Sequence, residues 1–307
     1  MSQYKLVTCQ SPQGPRAGLL VGETVFDLAA ATGRPSYATV LDVLRDWDAA
    51  RGLLAAAAKD APTKTGGQSL SATRLLPPVP TPGGIFCAGA NFTDHMMEMA
   101  QVQNLKPEPD PHSVGLKPWH FIKAVHCLAP PDSLVRLPAY SRMVDWEVEL
   151  TAVIGRPARD VSIEAALDYV AGYTVANDLS ARDFTKRANV ADTSPFKYDW
   201  LSQKCFEGAC PLGPWIVPAD DIPDPQNLAI KLWVNDTIKQ DSHTSKMIFT
   251  LAEQISHLST RLTLRPGDLI LTGTPAGVGL ARKEFLKRGD VVKAWVEGVG
   301  TLTNTCG

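Results

Sequence analysis

The run Asp145-Trp146-Glu147-Val148-Glu149-Leu150 constrains this chain more than any other stretch. It opens an apolar segment that reads as a buried strand over Trp146 to Ile154. Side chains along a strand alternate between faces. Glu147 and Glu149 therefore point one way, and Trp146, Val148 and Leu150 the other. Two like charges side by side repel unless something neutralises them. A divalent cation does so, and hard oxygen ligands suit Mg²⁺, Mn²⁺ or Ca²⁺. A solvated strand face with two surface glutamates is the plainer alternative, because charged residues are mostly exposed.

The composition is that of a globular protein. Its 307 residues are 44% hydrophobic and 20% charged, enough for one large core or two domains. A net charge of −2 gives no basic field for nucleic acid and no polybasic membrane anchor. No segment approaches the roughly 20 apolar residues that span a bilayer. Met1-Ser2-Gln3-Tyr4-Lys5 lacks the apolar run of a secretory signal, so a cytoplasmic location is expected. Cys9, Cys87, Cys127, Cys205, Cys210 and Cys306 show no C-x-x-C spacing. That argues against a zinc site or a disulfide scaffold and for reduced thiols, mostly in the core.

A boundary is expected near residue 80, after a turn-rich segment and Pro77, Pro78, Pro80 and Pro82. Before it, Tyr4 to Thr8, Ala17 to Leu20 and Thr24 to Phe26 read as a small meander, and Tyr37 to Ala58 as one helix. After it, strands are predicted at Ile85 to Ala88, Phe121 to Lys123, Trp146 to Ile154, Tyr173 to Ala176, Leu228 to Val234, Leu269 to Thr272 and Val291 to Val296. Helices are predicted at Ile163 to Val170 and Ile248 to Leu262. The long connection between the Ile85 and Phe121 strands carries Pro107, Pro109 and Pro111. Such loops are usually functional or mobile, and residues 91–117 are expected to act as a lid.

Several side chains can carry chemistry. Asp178 ends an apolar strand, where a rigid backbone can aim a ligand into a cleft; a helix cap is the alternative. His95 and Glu98 share a face if their segment is helical. A carboxylate behind a histidine orients the ring and raises its basicity, as a general base requires. Lys204 and Lys123 sit among apolar residues and either snorkel or serve an anion. Thr272-Gly273-Thr274-Pro275-Ala276-Gly277 is neither a P-loop nor a dinucleotide motif. It can offer N–H groups and the Thr274 hydroxyl to a carboxylate, or be a plain turn. No Gly-x-Ser-x-Gly nucleophile elbow is present.

The order of these pieces resembles the fumarylacetoacetate hydrolase family from about residue 81 to the end. The resemblance is carried by Cys87-Ala88-Gly89-Ala90-Asn91-Phe92 with Asp94, His95 and Glu98; by Phe121 and Lys123; and by Asp145 to Leu150. It continues through Asn177-Asp178, Ser180-Ala181-Arg182-Asp183, Lys204, Pro211 to Trp215, and Thr272 to Gly279. It implies an α+β, β-rich chain: a mixed β-sandwich or β-roll catalytic domain over 81–307 after a small N-terminal α/β domain over 1–80. It implies one Mg²⁺ or Mn²⁺, with Ca²⁺ a further candidate, on Glu147, Glu149 and Asp178. His95 and Glu98 match the catalytic pair, Lys204 the active-site lysine, and Thr274, Gly273, Lys123 and Arg182 the substrate contacts. A homodimer is implied too. The chain departs from the pattern at Ala90, where many members have Arg, and at Thr185, where acylpyruvase-like members often have Gln.

The expected chemistry is metal-dependent C–C hydrolysis of a β-diketo acid of the acylpyruvate or fumarylpyruvate type. His95, oriented by Glu98, deprotonates a water, and Lys204 steadies the developing oxyanion. Decarboxylation of an oxaloacetate-like acid, or a dehydratase or isomerase reaction at the same site, is the alternative. A 2-oxo-acid binding protein with a degenerate site is a third reading, from outside the enzymes.

Overall fold

The computed structural model describes residues 4–63, 65–106 and 108–307. Strands β1 (Lys5–Ser11), β2 (Gly14–Val21) and β3 (Thr24–Asp27) form the expected meander. Gly14 and Gly22 take positive φ (105° and 57°) in its two turns, where a side chain would be strained. The single helix predicted from Tyr37 divides into α1 (Val40–Arg45) and α2 (Trp47–Asp60). Asp46 breaks it. Its backbone leaves the helical region (φ −117°, ψ 32°), and its carboxylate accepts the Tyr37 hydroxyl proton at 2.6 Å. A local side-chain hydrogen bond thus outcompetes helix propagation.

The remaining chain contributes β4 (Ile85–Ala88), α3 (Thr93–Val102), β5 (His120–Ile122), β6 (Val148–Ile154) and β7 (Val170–Asn177). Then follow α4 (Trp200–Lys204), β8 (Cys210–Pro218), β9 (Ala229–Val234), β10 (Thr237–His243) and α5 (Leu251–Arg261). The last strands are β11 (Leu269–Leu271), β12 (Val291–Val296) and β13 (Gly300–Cys306). The larger sheet runs β3-β2-β1-β8-β7-β6-β11-β4-β5, antiparallel except for the parallel β11–β4 pair. The smaller sheet runs β10-β9-β12-β13.

Burial explains the layering. Every residue of β6 and β7 is buried, so these central strands are covered on both faces. In β9 and β12 buried and half-buried residues alternate, so each lays one face on the core. One apolar cluster holds Leu150 and Val175 from the large sheet, Leu232 and Ala294 from the small one, and Leu6, Leu44 and Leu54 from the N-terminal part. The fold is therefore α+β and β-rich. β1 joins the catalytic strands directly, pairing Leu6 with Ile216 of β8. The cluster takes members from both sides of residue 80.

Besides the split helix, the helix expected at Ile163 to Val170 fails, and strands β8, β10 and β13 were not predicted. Ile163 to Val170 is not a helix; one short 3₁₀ turn, Ala166–Tyr169, leads into β7. Val170 pairs with Ile154 instead, and an isolated short helix has too few bonds to offset its nucleation. β8 escaped notice because Pro211, Pro214 and Pro218 interrupt it, although it pairs with both β7 and β1. The helix expected at Ile248 to Leu262 is α5, closed by a Thr250–Glu253 capping box. Among the described residues no helix is long and apolar enough to cross a membrane. All six cysteines are free thiols.

Candidate metal centre and active site

Glu147 lies just before β6, in a gap after the short strand Val144–Asp145. Its N–H donates to Asn177 Oδ1 at 2.9 Å, and the Asp178 N–H donates to the Glu147 carbonyl at 2.9 Å. Those two bonds fasten the end of β7 to the start of β6. Glu147, Glu149 and Asp178 are thereby gathered, with one carboxylate oxygen from each inside a 4.8 Å group. They are only 5%, 1% and 1% exposed, so the solvated-face alternative is excluded.

Cations surround this cluster unevenly. Lys204 Nζ stands 2.9 Å from Glu147 Oε2 and 2.8 Å from Asp178 Oδ2. Lys123 Nζ is 2.7 Å from Asp178 Oδ1, and the Arg182 guanidinium bonds Glu147 Oε1. Burial pushes the Glu147 carboxyl up, but Lys204 and Arg182 outweigh it and hold the group low. Glu149 differs. Burial, then Asp178 and Glu147, drive its carboxyl well above the ordinary range, and the Lys204 charge and the Gly273 N–H at 2.7 Å oppose this without overcoming it. Three hard oxygen donors converge where positive charge is short. That donor set fits Mg²⁺ or Mn²⁺.

Lys123 and Arg182 turn toward the protein itself. Lys123 has no exposed side-chain surface, and besides Asp178 it donates to the Leu179 carbonyl (3.1 Å) and the Lys204 carbonyl. Arg182 Nε donates to Asp145 Oδ2 at 2.8 Å. Their donors are directed at protein acceptors, because buried carboxylates lie within reach. Thr274 is also tied into the fold. Its hydroxyl donates to the Val148 carbonyl at 2.9 Å and accepts from Gln240 Nε2 at 2.9 Å. Gly273 must be glycine: φ is +95°, and a Cβ would come 2.9 Å from the Asn91 Cβ. The carboxylate that its N–H meets is Glu149.

Sequence reasoning gave no role to Asp145 or Gln240. Asp145 is fully buried and accepts the N–H groups of Trp146, Gly279 and Leu280 as well as Arg182. Gln240 accepts the Val148 N–H at 3.0 Å and donates to the Pro275 carbonyl at 2.8 Å. Asp145→Ala strands a buried guanidinium and three N–H donors. A loss of about 3–5 kcal/mol is expected in urea unfolding; an unchanged midpoint would show that Asp145 anchors nothing.

The segment before α3 is clamped by Asn91, which donates to the Thr272 and Phe249 carbonyls and accepts from Phe249 N–H. Asp94 binds Ser242 and, at 3.1 Å, Lys246. On the helix His95 Nδ1 and Glu98 Oε2 are 3.9 Å apart, on one face as predicted. Glu98 also accepts the Gly277 N–H at 2.9 Å. Burial raises its carboxyl, but His95 and Gly277 together bring it below the ordinary range. His95 Nδ1 is sealed and lacks a hydrogen-bond partner. The imidazole lies within electrostatic reach of Glu147. Of the expected lid, both α3 and the 3₁₀ turn Pro111–Val114 are docked, the latter through His112 and Glu253 at 2.9 Å. Pro107 falls outside the described residues.

Comparison with known proteins agrees with this geometry. The fumarylacetoacetate (FAA) hydrolase C-terminal family matches residues 84–306. The chain is 41% identical over 238 residues to the mitochondrial oxaloacetate tautomerase of Xenopus laevis, across 77% of this chain and 69% of that protein. It is similar to the solved maleylpyruvate hydrolase of Sphingobium sp. SYK-6, a complex with manganese(II) ion and pyruvate, at 28% identity over 98% of each chain and a TM-score of 0.75. It is likewise similar to the 2-hydroxyhepta-2,4-diene-1,7-dioate isomerase of Mycobacterium marinum, at 32% identity over 99% of this chain and 98% of that one, with a TM-score of 0.72. The matched stretch spans the three carboxylates, Lys204 and the His95–Glu98 pair, and the chain belongs to the fumarylacetoacetate hydrolase family.

Proposed function

We propose that this enzyme catalyses keto–enol tautomerisation of a small 2-oxo acid of the oxaloacetate type. The observation that carries the reading is convergence. A His–Glu pair on α3 is held, through Gly277, on the same turn that holds Glu149 through Gly273. A proton-transfer group and a set of hard ligands are thus fixed to one rigid element. A divalent cation on Glu147, Glu149 and Asp178 would polarise the 2-oxo group as a Lewis acid. His95 moves the proton at C3 through Nε2, with the Glu98 carboxylate standing behind the ring 3.9 Å from Nδ1. The proton removed from C3 is balanced by one gained at the C2 oxygen. Lys204, beside two of the ligands, favours negative charge on that oxygen. Lys123 and Arg182 position the carboxylates.

The similarity to oxaloacetate tautomerases across the catalytic region favours tautomerisation over cleavage. C–C hydrolysis of an acylpyruvate is the second reading, favoured by the likeness to a maleylpyruvate hydrolase. There the same His95 would deprotonate water. A homodimer through the catalytic domain is part of this proposal, and light scattering tests it.

Product analysis separates the readings. Metal-loaded protein is given oxaloacetate and a set of acylpyruvates. The expected result is fast interconversion of oxaloacetate tautomers with no change in mass. Cleavage of acylpyruvates without any tautomerisation of oxaloacetate would move the assignment to hydrolase.

A further inference from the structure

Four of the six cysteines gather around one ammonium group. Cys87, Cys127, Cys205 and Cys210 all lie close enough to Lys123 for its charge to act on their thiols. Within this group Cys127 and Cys205 are paired. Cys127 closes the 3₁₀ turn Val125–Cys127 that follows β5, and Cys205 is the residue after Lys204 at the end of α4. Their contacts cross. Cys127 Sγ lies 4.0 Å from the Lys204 carbonyl, and Cys205 Sγ lies 3.8 Å from the Ile122 carbonyl. The Cys127 sulfur thus rests against the carbonyl that joins Lys204 to Cys205, which brings the two thiols to one place in the fold.

The members of the pair are unequal. Cys127 is 1% exposed, whereas Cys205 is partly exposed. The neighbouring Cys127 thiol holds the Cys205 thiol below the ordinary range, and the same pairing, with burial, raises Cys127. One sulfur is therefore reachable and, near the Lys123 ammonium, favours its thiolate more than its sheltered neighbour does.

We propose that Cys205 and Cys127 form a peroxide-sensitive dithiol whose closure to a disulfide turns the active site off through Lys204. The Cys205 thiolate attacks a hydroperoxide. The O–O bond breaks, sulfur is oxidised to the sulfenic acid, and hydroxide or alkoxide leaves. Cys127 then loses its proton and attacks that sulfur. The S–O bond breaks and water departs, leaving the disulfide. A dithiol reductant reverses the sequence.

The coupling is short and covalent. A disulfide needs its sulfurs about 2.05 Å apart, closer than two unbonded thiols. Closing the gap pulls on the Lys204–Cys205 peptide. The Lys204 carbonyl receives Lys123 Nζ, and the Lys204 ammonium holds Glu147 and Asp178 at 2.9 and 2.8 Å. Both lysines that brace Asp178 meet at this residue. A displacement of about 1 Å in such a site can cost on the order of 10²-fold in rate.

The experiment treats the whole metal-loaded protein with hydrogen peroxide and digests it without reduction. A Cys127–Cys205 linked peptide pair is expected, together with weaker Mn²⁺ binding and an activity loss of about tenfold or more that dithiothreitol restores. Cys205→Ser and Cys127→Ser are expected to keep basal activity and Mn²⁺ binding, and to lose the dithiothreitol-reversible inactivation. Cys9→Ser, at a partly exposed thiol in β1, should behave as wild type. The proposal is overturned if peroxide leaves Cys205 reduced, if the link forms with Mn²⁺ binding and activity unchanged, or if Cys205→Ser is inactivated as reversibly as wild type. Peptide linkage and Mn²⁺ binding do not depend on the substrate, so their failure is distinct from failure of the tautomerase reading.

Discussion

Glu149→Gln is expected to abolish cation binding and turnover while leaving the fold intact. The amide keeps an oxygen for the Gly273 N–H, which now reaches Glu149 Oε2 at 2.7 Å. What disappears is one negative charge. Without metal that charge is unfavourable, because burial, Asp178 and Glu147 all act against it. The substitution should therefore leave thermal stability of the metal-free protein equal or slightly higher, as happens when a like-charge contact is relieved. With metal the sign reverses. The site loses a hard anionic ligand, and the polarisation a cation provides is worth several kcal/mol, so a rate loss on the order of 10³-fold follows. Mn²⁺ titration and melting curves on both proteins check the two signs. A Gln variant that binds Mn²⁺ as tightly as wild type would remove Glu149 from the ligand set.

His95→Ala is expected to cost about 10²–10⁴ in turnover, the usual worth of a positioned general base. Mn²⁺ binding should survive, since the histidine is not among the gathered ligands. Glu98→Gln should cost less than His95→Ala. It leaves the imidazole in place and removes only the carboxylate 3.9 Å from Nδ1. Its amide can still accept the Gly277 N–H, so the helix should stay docked. The pattern to look for is a large fall in kcat for His95→Ala at unchanged metal affinity. Wild-type turnover in that variant would show that another group moves the proton.

Much of the site was legible in the sequence because its parts are local. Glu147 and Glu149 are two residues apart, and strand alternation puts them on one face. Glu147 in fact precedes the regular strand, and the Asn177 side chain holds it in line. His95 and Glu98 are three apart on a helix, a spacing that fixes a shared face. Roles that depend on distant partners were not legible. Asp145 meets Gly279 across 134 residues, and Gln240 meets Val148 across 92. The ion pairs of Lys123 and Arg182 were not legible because their acid partners Asp178, Asp145 and Glu147 lie far from them along the chain. The Cys127–Cys205 pair was hidden for the same reason. At secondary-structure level, the misread helix at Ile163 and the unnoticed β8 both yield to strand pairing, which periodicity within one segment does not report.

The most direct measurement is the rate of oxaloacetate enol-to-keto conversion by one protein preparation in three states: metal-loaded, exhaustively chelated, and reloaded with Mn²⁺. Metal-dependent proton transfer at the Glu147–Glu149–Asp178 centre predicts fast conversion, conversion at the uncatalysed rate, and recovery. Full activity in the chelated protein would contradict it.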